Sequence, residues 1–243
     1  MMKVNGFIKS GSVSRNGQNT IPRVNNSSSV DLIGDHHVGT SVDTPMRPDA
    51  FEKTDQEKMA VIEDHFREIM ETLGLDLTDD SLSGTPHRVA KMYVQEIFNG
   101  LNPVNKPKIS VFENKFNYGE MLVERNINLN STCEHHFLPI VGKAHVAYIA
   151  NGQVIGLSKI NRVVDYFARR PQVQERLTVQ IANELKQILQ TEDVAVVIDA
   201  KHLCVSSRGI EDESSSTVTA EYSGVFKEKE RKDEFLKYVS FGK

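Results

Sequence analysis

The chain has 243 residues, 39% hydrophobic and 26% charged, the balance of a soluble globular protein with ample surface to bury a core. Its formal net charge of −4 argues against a general nucleic-acid-binding or membrane-surface role. No apolar run nears the ~20 residues that span a bilayer and no signal-peptide core opens the chain, so a reduced, cytoplasmic setting is expected.

Residues 1–50 are rich in Gly, Ser, Asn, Asp and Pro, without apolar period, and are expected to be a disordered tail. His36-His37 within it is either a solvated pair or a metal contact. Residues 51–108 form a helical segment. Met59, Ile62, Phe66, Ile69, Met70 and Leu73 recur at helical steps over Asp55–Leu73, and Gly74 is a suitable stop. A second helix is predicted from Thr85-Pro86, with Thr85 as N-cap and Val89, Met92, Tyr93 and Ile97 as its buried stripe. Arg88 lies in its first turn, where a cation opposes the helix dipole unless it meets an anion.

From residue 109 onward the pattern is mainly strands. Ile109–Phe116 and Met121–Leu129 read as a hairpin through Asn117-Tyr118-Gly119-Glu120. Next comes Ser131-Thr132-Cys133-Glu134-His135-His136, followed by a strand over Lys143–Ile149 that turns at Asn151-Gly152. His145 on that strand reads as structural. A helix opens at Gly156-Leu157-Ser158-Lys159, with Ser158 as N-cap and Ile160, Val163, Val164 and Phe167 inward. Lys159 and Arg162 flank an end that already favours anions, which suits either a bound phosphate or a solvated face. A longer helix is predicted from Pro171 to Gln190, with Gln174 and Glu175 in its first turn. Asp193–Val205 alternates as a strand, which would set His202 and Cys204 on one face, and Arg208-Gly209 leaves it. A last strand spans Ser216–Phe226 and a terminal helix Glu228–Val239. Antiparallel strands with segregated helices imply an α+β domain over 109–243.

Cys133 and His136, three apart, can reach one tetrahedral Zn²⁺, and Cys204 is the one other cysteine in the chain. Three protein ligands would leave a fourth position for water, as catalytic zinc sites do. A disulfide, or two inert buried thiols, are the other readings of the same pair.

Taken together, Ser131–His136, Gly156-Leu-Ser-Lys-Ile-Asn-Arg162, Arg170-Pro-Gln-Val-Gln-Glu-Arg-Leu-Thr178, His202-x-Cys-x-x-x-Arg-Gly209 and Thr85-Pro-His-Arg-Val-Ala-Lys-Met-Tyr93 resemble type I GTP cyclohydrolases, from about residue 55 to the C-terminus. The resemblance implies a T-fold (tunnelling fold), an antiparallel sheet with helices on one side, assembled as a homodecamer of two pentamers with active sites at subunit boundaries. It implies zinc-dependent conversion of GTP and water to 7,8-dihydroneopterin triphosphate and formate, the entry to folate or tetrahydropterin synthesis. Cys133, His136 and Cys204 would then hold Zn²⁺, with His135 and His202 as acid–base groups. Glu175 would bind the donor edge of guanine with Gln174 beside it. Ser158, Lys159, Arg162 and Arg208 would hold the triphosphate, with Arg88 arriving from an adjacent subunit. Two alternatives are a nucleotide-binding module without turnover and another T-fold enzyme of purine or pterin chemistry.

Overall fold

The computed structural model describes residues 41–241; His36, His37 and the rest of the expected tail up to residue 40 lie outside the described residues. Ser41–Asp43 are already bonded into the fold, ahead of the boundary expected near Phe51. Arg176 Nε donates to Ser41 O at 2.9 Å, and Gln180 Nε2 donates to Asp43 Oδ1 at 2.9 Å.

Helix α1 (Asp55–Thr72) opens on a capping box in which Thr54 and Glu57 satisfy each other's backbone N–H groups, and Gly74, at φ +82°, follows its end. A short α2 (Asp80–Ser83) leads to α3 (Thr85–Lys91). Gly84, not Thr85, is the N-cap of α3, so Thr85 and Pro86 are its first helical residues. The helix runs on through Met92–Ile97 as a π-helical turn, closed by Phe98 N–H donating to Tyr93 O at 3.1 Å. Tyr93 and Phe98 stack at 5.4 Å, and Phe98 meets Phe137 edge-on at 5.2 Å.

The next elements are β1 (Val111–Glu113), β2 (Met121–Cys133), β3 (Pro139–Ile149) and β4 (Gln153–Ile155). The hairpin expected between the first two does not form: β1 pairs with β4, and β2 pairs with β3. Asn114 exchanges side-chain bonds with the backbone of Tyr118, and Asn117 sits at φ +48°, so the connection winds into its own loop instead of the expected hairpin turn through Asn117-Tyr118-Gly119-Glu120. Asn151-Gly152 does reverse the chain, but the strand that follows pairs outside the main sheet.

Then come α4 (Leu157–Ala168), β5 (Pro171–Gln172), α5 (Gln174–Leu189), β6 (Val194–His202), α6 (Leu203–Ser206), β7 (Thr217–Tyr222) and α7 (Lys229–Ser240). Three expectations change here. Gly156 is the N-cap of α4, and Ser158 lies inside its first turn. The helix expected from Pro171 starts at Gln174, because Pro171 and Gln172 pair in parallel with Thr132 and Cys133. Cys204 sits on α6 instead of on the strand, so the shared-face argument for His202 and Cys204 does not apply.

The architecture is α+β, built on a five-stranded sheet in the order β5-β2-β3-β6-β7, antiparallel except for β5. Helices α4 and α5 cover one face, burying Ile160, Val164, Leu177, Ile181 and Leu185 with Leu129, Ala144, Val146, Val196 and Ile198. The opposite face is not helix-free as expected, because Phe226 and Phe235 pack on Met121, Ala147, Ala195 and Val197. A bulge between Glu124 and Ile127, with Asn126 at φ +59°, lets one strand serve both layers. Met121 and Val123 face the second cluster, whereas Ile127 and Leu129 face the first. Among the described residues no helix is long and apolar enough to cross a membrane.

At Gly142 there is no room for a side chain between β3 and β6: a Cβ there would lie 2.1 Å from Asp199 O and 2.5 Å from Ala200 Cα. Neither backbone atom can swing aside. Gly142→Ala is therefore expected to cost about 3 kcal/mol, read from the urea midpoint, and an unchanged midpoint would mean that the strands part freely at this rung.

Candidate metal centre and its surroundings

Two strand ends build the centre. At the end of β2, Phe137 N–H donates to Cys133 O at 2.9 Å and Cys133 N–H donates to Leu138 O at 2.8 Å, closing residues 133–138 into a tight loop. Phe137 takes φ +53° to return the chain into β3. Register does the rest: Ile140 lies opposite His202, so β6 ends at the mouth of that loop and α6 presents Cys204 to it.

The ligand atoms of Cys133, His136 and Cys204 all lie within 4.8 Å of one another. A tetrahedral zinc ion with bonds of about 2.0–2.3 Å separates its ligand atoms by about 3.5 Å, so a small inward closure fits the donors to the ion. Both thiols are free, so the pair is not a disulfide. The buried Cys133 and half-buried Cys204 meet a third donor, which inert core thiols do not. Burial and the adjacent Cys133 sulfur push the Cys204 thiol up, with Arg208 opposing. A divalent cation between the sulfurs removes that conflict. Arg208 already stands at the centre, its Nη1 donating to His136 Nε2 at 3.1 Å.

His135 and His202 flank the centre. His135 is exposed, with Nδ1 at 3.7 Å from Cys133 Sγ. His202 Nε2 lies 2.8 Å from Gln174 Oε1; burial lowers its pKa, and the Glu175 carboxylate opposes that shift. Glu175 itself is exposed in the first turn of α5. Gln174, expected in the same pocket, is 1% exposed, and its amide is taken up by His202, Ile198 O, Thr217 O and Thr219 Oγ1. It touches the pocket only through His202.

The remaining expected residues lie elsewhere in the chain. Ser131 Oγ donates to Ala168 O at 2.7 Å, which pins the C-terminal end of α4 beside the metal loop. Ser158, Lys159 and Arg162 belong to the other end, and at 1.5 Å per residue Ser158 is about 15 Å along the axis from that contact. Lys159 Nζ donates to Lys108 O at 3.4 Å, and Arg162 borders a cleft with Asp55, Gln95 and Asn99. Arg88 is exposed on α3. Of the expected cations, Arg208 is hydrogen-bonded to the metal loop.

Sequence reasoning passed over two supports. Glu134, between the expected ligands, donates its backbone N–H to Gln172 O at 3.0 Å and holds Arg176 through both carboxylate oxygens, at 2.7 and 3.1 Å. Thr178 and Thr219, which meet at 2.7 Å, fasten Gln174. Glu134, Arg176 and Thr178 all lay inside the motifs already singled out, but a bonded partner is not visible from spacing.

Comparison with known proteins bears on the same residues. Residues 62–240 match the GTP cyclohydrolase I family. The chain belongs to that family. Among its relatives, GTP cyclohydrolase 1 of Flavobacterium johnsoniae is 61% identical over 216 residues, covering 89% of this chain and 97% of that protein. The proteins of the same name from Citrobacter koseri and Aeromonas salmonicida are 53% and 57% identical, over 86% and 80% of this chain and 94% and 89% of theirs. The family match therefore includes the metal loop, α4, the start of α5 and α6.

The clamp on the metal loop has a measurable worth. Glu134→Ala leaves the Arg176 side chain, 3% exposed, with Ser41 O and Gln172 Oε1 as its remaining acceptors. Breaking such a pair is expected to cost about 3 kcal/mol in urea denaturation; a loss below about 1 kcal/mol would place the ion pair among ordinary surface bridges.

Proposed function

We propose that the chain is a zinc-dependent GTP cyclohydrolase I, a hydrolase that converts GTP and water to 7,8-dihydroneopterin triphosphate and formate, the entry to folate or tetrahydropterin synthesis. The observation that carries this reading is the convergence of Cys133, His136 and Cys204 beside His202, which pure binding would not require. Zinc held by the three donors supplies a Lewis acid that brings water toward its nucleophilic form near neutral pH.

The chain's own groups do the rest. Glu175, exposed next to His202, accepts from the N1–H and exocyclic amine of guanine, a donor pair that adenine lacks in that arrangement. This sets C8 of the base toward the metal loop. His202 and His135 move protons as the imidazole ring of the purine opens, formate leaves, and the ribose carbons close onto the freed amine. Burial favours the neutral form of His202, with the Glu175 carboxylate opposing.

The triphosphate falls to Arg208, Ser158, Lys159, Arg162 and Arg88, with Gln174 supporting the pocket from behind His202. Because the rise of α4 carries Ser158 about 15 Å along the axis from the end that Ser131 pins beside the metal loop, we assign Ser158 and Lys159 to the site of a neighbouring copy. That arrangement agrees with a T-fold homodecamer of two pentamers whose sites form between subunits. In this reading residues 109–243 are the catalytic T-fold domain, 51–108 a helical segment that packs outside it, and 1–50 a tail. Free thiols at the centre suit a reducing, cytoplasmic compartment.

The test combines turnover with mixing of variants. Purified protein incubated with GTP should yield a pterin that fluoresces after oxidation, together with formate. His202→Ala should abolish turnover while retaining zinc and nucleotide. Cys204→Ser and Lys159→Ala should each be inactive alone, and mixed assemblies should regain part of the activity because one intact site draws on both parents. Absence of pterin from the zinc-loaded protein would overturn the reaction assignment, and mixtures that stay inactive would overturn the shared site.

A further inference from the structure

The hydrogen bonds behind His202 have only one consistent set of directions. Gln174 Nε2 lies 3.2 Å from Ile198 O, 2.8 Å from Thr217 O and 3.1 Å from Thr219 Oγ1. Two of these partners are backbone carbonyls, which can only accept. Turning the amide over would set its oxygen against both carbonyls with no hydrogen between them. The amide nitrogen therefore faces the carbonyls, and Oε1 faces His202 Nε2 at 2.8 Å.

The threonines agree with this direction. Thr178 Oγ1 donates its one hydrogen to Gln174 O at 2.8 Å. In the 2.7 Å contact between Thr178 and Thr219, Thr219 must then be the donor. That leaves the Thr219 oxygen free to accept from Gln174 Nε2, whose two hydrogens are shared among this hydroxyl and the two carbonyls. Gln174 and Thr178 are each 1% exposed and Ile198 is buried, so the amide itself is shielded from water, although Thr217 lies at the exposed start of β7.

We propose that Gln174 is a positioning residue that holds His202 as the Nε2–H tautomer, its amide direction fixed by the Ile198 and Thr217 carbonyls and by the Thr178–Thr219 pair. An oxygen acceptor at 2.8 Å demands a hydrogen on Nε2, so the neutral ring carries its lone pair on Nδ1. Nδ1 is then the one ring nitrogen that takes and returns a proton, while Nε2–H stays on Gln174 in both states. The ring plane is fixed by the same bond. Gln174 acts on the substrate only through His202, although its place in the motif puts it next to Glu175.

The consequence for turnover rests on the GTP cyclohydrolase reading; the tautomer does not. Solid-state ¹⁵N spectra of the full-length, zinc-loaded protein labelled at histidine, with His202 assigned by its loss in His202→Ala, should show a protonated Nε2 and a bare Nδ1. Gln174→Leu should release the preference and show both tautomers. Its kcat for GTP should fall about 100-fold, a typical worth of one placed acid–base group, while KM for GTP stays at the wild-type value. A wild-type His202 protonated on Nδ1 overturns the proposal, and this spectrum needs no variant to fold. Unchanged kcat in Gln174→Leu also overturns it, as does a rise in KM that accounts for the whole loss, the mark of a direct substrate contact. If the wild-type protein fails to turn over GTP, the reaction assignment falls, and the spectrum still decides the tautomer.

Discussion

The register between β3 and β6 is the constraint on which the centre depends. With Ile140 opposite His202, the end of one strand lies over the loop that begins the other, and Cys133 meets Cys204 across a long stretch of sequence. A slip of one residue would turn every side chain of β6 to the wrong face, taking Val196 and Ile198 out of the layer under α5. The apolar core thus enforces the metal geometry. Gly142 belongs to the same constraint, because only a residue without Cβ lets the two backbones come so near beside the site.

The loop is held as firmly as the strands that feed it. Backbone bonds close it at both ends, Glu134 ties it to β5 and α5, and Phe137 anchors it to the aromatic pair at the π-helical turn. Such a loop loses little freedom when a metal arrives, which favours binding. The anion-binding end of α4 points elsewhere. The same helix that braces the loop through Ala168 carries Lys159 toward its opposite end.

Much of this was legible in the chain itself. The stripes of α4 and α5 follow 3.6-residue periodicity and bury as expected, since helix packing reads local spacing, whereas the stripe of α1 buries only Met70 and leaves Ile69 and Leu73 exposed. The clustering of Cys133, His136 and Cys204 was legible because Cys133 and His136 are near neighbours and the chain has one other cysteine. Pairings were less so. Nothing local tells Val111–Glu113 to pair with Gln153–Ile155, or Pro171–Gln172 to leave the helix and join β2, since both are tertiary choices. The alternation of Val, His and Cys to Val205 suggested a strand, yet Ser207 N–H and its hydroxyl both bond back to Leu203 O, turning the chain into α6. Gln174 was found by its motif, but its burial and its bond to His202 were not legible, because burial and hydrogen-bond direction are properties of the folded state.

The central claim is that two sulfurs and one imidazole share a metal with an open fourth position. X-ray absorption at the zinc edge of the purified protein measures this directly. The account predicts two sulfur neighbours at about 2.3 Å and two lighter nitrogen or oxygen neighbours at about 2.0–2.1 Å. A shell without sulfur, or one of four sulfurs, would contradict it.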